Sequence, residues 1–471
     1  MIIKDGGSEK MRIKWGVLPA IALFICIACI RTARAEEAPE LTGRCTITLS
    51  GGSGDASSLT DQDYTTQWKA PKSGGSLTIQ APEGMRLAGV SLKWDKLPQT
   101  AYFSVDTGGG WEDYPVEDHR LLHQYVGLPG VQGIRIESRG EPMILNELRL
   151  YGPGELPGDV QRWSPPCGKA DLLLMPTHPD DEDLFFGGTL PTYAGQYGKK
   201  VQVVYMTQAT RRRRHEALDG LWLVGVRHAP VFSPFEDVYC DSLEEAEHVY
   251  SVPEVTGWQV EMIRRFKPLA IIGHDIEGEY GHSVHKLNAR CLQKAVEQAG
   301  KDGFYPASQQ QYGLWDTPKC YLHNWPENQR LMDWDKPLSA FGGKTGYELA
   351  GEAFRCHVSQ QNGHHAMSKE GRRDCRNFGL YRSLVGPDEA LDDFLEHTCE
   401  ALAAPQASAS TAAPSSIPPL SQASEPAPAP AAPPKWPSVV GASLTALALL
   451  LAVGQMRKAL LRARRASRPR Q

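Results

Sequence analysis

Two short segments hold the side chains that could carry out hydrolysis. The first reads His178-Pro179-Asp180-Asp181-Glu182. The second runs from His274-Asp275 to Gly281-His282-Ser283-Val284-His285. Two histidines and one carboxylate form an open divalent-metal site, most often for zinc, with a fourth position left for water or a substrate oxygen. A further carboxylate beside that water takes its proton, and a further histidine donates one or holds an oxyanion. Together the two segments supply all five groups. Polar loop residues would explain either segment alone. Their joint occurrence, each directly after an apolar run, points to metal-assisted hydrolysis.

Those apolar runs are the elements that must position the chemistry. Leu172–Met175, Val201–Met206 and Leu269–Gly273 read as short buried strands, while Leu184–Tyr197 and Glu254–Phe266 read as helices. Strands alternating with helices predict an α/β fold, a Rossmann-like parallel sheet with helices on both faces. In such sheets ligands sit at the carboxyl ends of strands, where both segments fall. Residues 44–155 differ. Gly75–Gln80, Leu87–Trp94 and Gly133–Glu137 are short apolar runs between Gly, Pro and Asp turns, which predicts an all-β sandwich. Trp68, Trp94 and Trp111 are either sugar-stacking platforms or core there, and core is the commoner fate of an aromatic.

The 471 residues, 41% hydrophobic and 22% charged, exclude wholesale disorder, and a net charge of −5 argues against nucleic-acid binding. Lys10, Arg12 and Lys14, the uncharged stretch Trp15–Ile30 and Ala33-Arg34-Ala35 predict a secretory signal over residues 1–35. Residues 404–434 are an Ala/Pro/Ser-rich stalk with Glu425 its single charge. Residues 436–456 are uncharged and long enough to span a bilayer, and the Arg-rich tail 457–471 places that end in the cytoplasm. The body is therefore expected outside the membrane, at a cell surface or in a periplasm. Eight cysteines outside the signal allow four disulfides in an exported protein, with buried free thiols as the alternative.

The segment LLLMPTHPDDEDLFFGGTL (172–190) resembles the HPDDE signature of the LmbE-like (PIG-L) N-acetylglucosaminyl de-N-acetylases. RRHEALDGLWLVGV (213–226) is similar to that family's Arg/Glu-bearing helix, and HDIEGEYGHSVH (274–285) to the segment that closes its site, with Ser283-Val284 in place of the usual Pro-Asp. The resemblance extends over residues 168–400. It implies zinc (Zn2+) held by His178, Asp181 and His285, with iron (Fe2+) accommodated by the same set. It further implies Asp180 as general base, and His282 as the group that protonates the leaving amine or steadies the oxyanion. Glu182 and Asp275 are then candidates for orienting the ligand imidazoles. Arg213 and Glu216 are candidates for sugar hydroxyls or for an i,i+3 helix salt bridge. The segments SLTDQDYTTQW (58–68), GVSLKWDKLPQTAYFSV (89–105) and ILNELRLYG (144–152) resemble a discoidin-type, galactose-binding-like domain. The Arg211–Arg214 run reads as a solvated helix start.

The expected activity is an exported, membrane-tethered deacetylation of N-acetylhexosamine glycans. Its rivals are an inactive surface glycan-binding protein and a metal-dependent amidohydrolase on a small or lipid-linked substrate. No organic cofactor is expected.

Overall fold

The structure is a computed structural model that describes residues 36–96, 101–117, 121–363 and 365–398. The expected signal, stalk, membrane helix and basic tail lie outside the described residues. Among the described residues no helix is long and apolar enough to cross a membrane.

Nine strands form the amino-terminal part: β1 (Thr46–Ser50), β2 (Trp68–Ala70), β3 (Gly75–Gln80), β4 (Leu87–Lys96), β5 (Ala101–Asp106), β6 (Trp111–Asp113), β7 (His123–Val131), β8 (Gly133–Ser138) and β9 (Met143–Tyr151). They make two antiparallel sheets, β1-β3-β8-β5-β6 and β2-β9-β4-β7. Alternation sets the inner faces. Leu77 and Ile79 of β3 and Ile134 and Ile136 of β8 meet Val90, Leu92 and Leu145 of the other sheet in one core. Trp68 and Trp94 belong to that core at 1% exposure each, so neither is a sugar platform. Trp111 is half-buried under the Arg135 guanidinium, 4.2 Å from its ring.

The second part is built on β10 (Leu172–Leu174), β11 (Val201–Tyr205), β12 (Val231–Phe232), β13 (Ala270–Gly273), β14 (Lys319–His323), β15 (Gln329–Leu331) and β16 (Asn377–Ser383), in the order β12-β11-β10-β13-β14-β16-β15. The first five run parallel. β16 pairs antiparallel with β14, and β15 antiparallel with β16, so the sheet is mixed rather than wholly parallel. The exposed, Arg-bearing β15 has the character of an edge.

Helices cover both faces. They are α1 (Asp181–Leu184), α2 (Arg211–Leu223), α3 (Leu243–Val249), α4 (Val252–Phe266), α5 (Ser283–Gln298), α6 (Pro306–Tyr312) and α7 (Gly346–Phe354). Because successive strand residues point to opposite faces, Leu172, Leu174, Ala270 and Ile272 pack under α2 and α7, through Ala217, Leu221, Leu349 and Ala353. Leu173, Ile271 and Leu322 pack under α4 and α5, through Ile263, Phe266, Leu292 and Ala295.

The single helix expected over 184–197 is broken into α1 and a wide turn at Pro191–Gln196. Between them Gly187, with φ +50°, and Gly188 lie against the Trp334 indole. A Cβ on either would come within 2.9 Å of that ring. The expected disulfides are also absent among the described residues, where seven cysteines are free. Five of them are buried in the apolar packing, and burial pushes the Cys320 and Cys375 thiols up to about 12.

Candidate active site

The end of β10 leads directly into Thr177-His178-Pro179-Asp180, and α1 begins at Asp181. His274 follows β13, and His282 and His285 sit at the start of α5. Strand ends and a helix start thus bring both segments to one place. The Asp181 carboxylate is fixed by the backbone N–H groups of Thr177 and His178, which donate to Oδ2 at 3.1 and 2.7 Å. That oxygen lies 3.5 Å from His178 Nδ1 and 3.4 Å from His285 Nε2, and the two nitrogens are 3.0 Å apart. Tetrahedral ligands at zinc distances of about 2.0–2.1 Å stand about 3.3 Å from one another. The three buried donors therefore fit one small cation. The His285 ring stacks on His274 and lies tilted against His282, with centroids 4.5 Å from each.

A buried relay supports Asp181 from behind. His274 Nε2 is 3.3 Å from its Oδ2, and His274 Nδ1 is 3.1 Å from Glu279 Oε1. Glu279 Oε2 in turn lies 2.8 Å from His323 Nδ1, whose Nε2 reaches the Asp374 carbonyl at 2.9 Å. Against the cost of burial, Asp181 and Glu279 hold His274 up at about 9.

Asp180 occupies a conformation that L-residues rarely adopt, φ +124° and ψ −26°. Such backbone costs about 1–3 kcal/mol and persists where the surroundings enforce it. Glu182 Oε2 accepts the Asp180 N–H at 2.9 Å, while Arg213 donates to the Pro179 carbonyl at 2.6 Å and to Asp180 Oδ1 at 2.9 Å. Burial raises the Asp180 carboxyl to about 7 against the pull of Arg213, with the neighbouring Asp181 charge adding to the rise. Burial and then the neighbouring His178 lower His282 to about 4, so its ring is neutral at pH 7.

These groups line a cavity of about 180 Å³ with Tyr239, Tyr280 and Gln360. Tyr239 and Tyr280, 72% and 46% exposed, stand edge-on to His282 at the mouth, each 5.8 Å from its ring.

Four expectations need correction. Glu182 and Asp275 do not orient the ligand imidazoles. Successive helical residues diverge by about 100°, so Glu182 leaves the cavity and meets His357 Nε2 at 3.2 Å, where Asp183 lies 3.6 Å away. Asp275 starts a turn by accepting the Glu277 N–H and is held by Arg372 at 2.6 Å. The carboxylate beside His178 is Asp237, 3.4 Å from Nε2. Arg213 forms no i,i+3 pair, because Glu216 is taken by Arg212 at 2.9 Å and by the Ser359 N–H at 2.8 Å. The arginine run is a solvated start only in part: Arg211 is exposed and also reaches Asp95 of the sandwich at 2.6 Å, while Arg213 is largely buried against Asp180.

An α/β sheet thus carries a buried His/Asp/His donor set near its strand ends, with a strained carboxylate beside it, and these three donors are a candidate site for a divalent ion. Residues 172–296 match the family model described as "PIG-L: GlcNAc-PI de-N-acetylase". The chain is 29% identical over 178 residues to a 1D-myo-inositol 2-acetamido-2-deoxy-alpha-D-glucopyranoside deacetylase of Nocardia farcinica, covering 32% of this chain and 56% of that protein. It is 26% identical over 245 residues to deacetylase 2 of the same description from Saccharopolyspora erythraea, covering 46% and 84%. Among solved structures, an N,N'-diacetylchitobiose deacetylase from Pyrococcus horikoshii aligns at 19% identity and a TM-score of 0.32, over 41% of this chain and 72% of that one. The chain thus spans little more than half the length of the first of these relatives.

Proposed function

We propose that this protein is a metal-dependent N-deacetylase that removes the acetyl group from N-acetylglucosamine-type sugars. The observation that carries the reading is the convergence of His178 Nδ1, Asp181 Oδ2 and His285 Nε2, with His285 buried behind a cavity that His178, Asp180, Asp181 and His282 line. The deacetylase names of the sequence relatives support it.

His178, Asp181 and His285 would hold the ion, for which zinc is the best-fitting candidate. When bound, it supplies Lewis-acid polarisation of the acetyl carbonyl and a lower pKa for water. Arg213 holds one oxygen of Asp180 and leaves the other to accept a proton from the attacking water. The hydroxide so formed adds to the acetyl carbon. Neutral His282 donates a hydrogen bond to the carbonyl oxygen as that oxygen gains charge. Cleavage of the C–N bond then draws the proton back from Asp180 to the leaving nitrogen, giving the amine and acetic acid, which at neutral pH leave as ammonium and acetate. Tyr239 and Tyr280 offer exposed ring faces to the sugar at the mouth.

The signal, stalk, apolar segment and basic tail support an exported body tethered to a membrane, which would place the substrate outside the cytoplasm. A discoidin-like origin for the sandwich is part of the same reading, with its buried tryptophans serving the core.

Acetate release from N-acetylglucosaminides by the detergent-solubilised full chain tests the function. Release should disappear on chelation, return with zinc, and fall about 10²–10⁴-fold in Asp180→Asn, the range for a lost general base. Asn tolerates positive φ, so this variant should stay folded. Release that survives both treatments would refute the reading.

A further inference from the structure

The cavity at His178, about 180 Å³, lies below the roughly 300–1,000 Å³ of ordinary ligand sites. It holds the reacting group and little else. A second space of about 790 Å³ lies between the sandwich and the α/β part. One bank is the sandwich loop Thr60–Thr65. The other is formed by Arg212 and Glu216 of α2 together with Val358, and Lys93 and Glu147 lie between. The two spaces are neighbours. Arg212 lines the groove and Arg213 the cavity, while Val358 lines the groove and Gln360 the cavity. Glu216, bonded to Arg212 at 2.9 Å and to the Ser359 N–H at 2.8 Å, ties these two stretches together on the groove side. Val358, 60% exposed, forms its lip.

We propose that this groove is a subsite for further sugar units of the glycan whose N-acetyl group enters the His178 cavity, so that the substrate is an oligo- or polysaccharide lying across both parts of the protein. The inference rests on the deacetylase reading and extends it to substrate length. The groove's chemistry suits a polyol. Carboxylates, ammonium and guanidinium groups and the hydroxyls of Thr60, Thr65 and Ser91 alternate around it, and sugar hydroxyls both donate and accept. Six carboxylates against three basic side chains disfavour a polyanion. The same excess favours units already carrying a free amine, the product of the reaction.

The test pairs acetate release with calorimetric binding, using the full chain and N-acetylglucosamine glycosides of one to four units. Wild type should favour the tetramer over the single unit by tenfold or more in kcat/KM. Thr65→Trp and Val358→Arg alter exposed residues on opposite banks. Each should bring that ratio to within threefold of one, mainly through KM, and weaken tetramer binding at least fivefold. A glucosamine tetramer should bind more tightly than its acetylated form, with the gap closing at high salt. Equal turnover of all lengths by wild type, or ratios and binding unchanged in both variants, would overturn the groove and leave the deacetylase standing. Tetramer binding that both variants weaken, without acetate release from any length, would support the groove and refute the deacetylase.

Discussion

Asp219 is a carboxylate in the middle of α2, among Ala217, Leu218 and Leu221 of the core, and its partners lie across the boundary between the two parts of the protein. Its Oδ1 accepts from Lys93 Nζ at 2.9 Å and from Gln161 Nε2 at 2.6 Å, and its Oδ2 accepts from the Tyr64 hydroxyl. Burial pushes this carboxyl up, but Lys93, His123 and Tyr64 overcome it and hold the group at about 2. Relative to the ordinary 3.8, that depression is worth about 2 kcal/mol of folding stability. Because the folded value is the lower one, the contribution is complete well above pH 4 and is lost as pH falls toward 2, with about 1 kcal/mol gone by pH 3. Asp219→Ala goes further, since it leaves the Lys93 ammonium and the Tyr64 hydroxyl without their acceptor. Breaking a buried pair costs about 3–5 kcal/mol. Asp219 is one-quarter exposed and Lys93 less, which sets the expectation at the lower end, about 3 kcal/mol. Replacing both charges, Lys93→Met with Asp219→Leu, removes both desolvation penalties and should recover most of the loss. Denaturant unfolding at pH 7 and pH 3 reads all three proteins. A deficit under about 1 kcal/mol for Asp219→Ala, or a double variant less stable than that single one, would refute the assignment.

Gly188→Ala would drive a methyl to 2.9 Å from the Trp334 ring, and a loss of about 1–3 kcal/mol is expected in the same denaturation assay. His357→Ala leaves the buried Glu182 and Asp183 carboxylates without their cation. A loss of about 3–5 kcal/mol is expected, with kcat reduced more than KM because Glu182 also holds the Asp180 N–H; kinetics indistinguishable from wild type would separate His357 from the site. Chelation should lower the melting temperature and zinc should restore it, since an ion bound at a hundredfold its Kd stabilises by about 2.7 kcal/mol; calorimetry that shows no zinc-dependent shift would speak against the His178 centre.

The loops that converge were legible because their chemistry is compressed. His178, Asp180 and Asp181 lie within four residues, and His282 and His285 within one helical turn. The parallel strands were legible from apolar runs such as Leu172–Leu174 and Ala270–Gly273. What stayed hidden is the support, because it is assembled from distant single residues. Asp237 and His357 are isolated polar positions, and Glu279, though inside the 274–285 segment, carries nothing that distinguishes a buried relay member from a solvated loop residue. His323 did carry a signal. It ends β14, a further buried strand, and strand ends are where α/β sheets place functional groups. The break in the 184–197 helix was hidden for the same reason, since the Trp334 indole that occupies the space beside Gly187 and Gly188 comes from 146 residues further along. The antiparallel end of the sheet was equally unreadable, as Gln329–Leu331 is too short and polar to stand out as a strand.

The four arginines at the start of α2 show how one helix ties these levels together. Helical residues turn by about 100° per step, so consecutive members of a charge run face different neighbours. Arg211 meets Asp95 on the sandwich, Arg212 meets Glu216 beside the Val358 turn, and Arg213 meets Asp180 in the cavity. Two turns later the same helix is clamped to the sandwich through Asp219, and His215 stacks on His123 and Tyr64 of that domain. The strained backbone of Asp180 is thus held by an arginine whose helix is anchored at both ends of its exposed face by the other part of the protein. A sandwich that served solely to carry a ligand would need only a tether. One that fixes the helix bearing Arg213 also positions the residue that holds Asp180, so on the proposed reading the sandwich is part of the framework of the site.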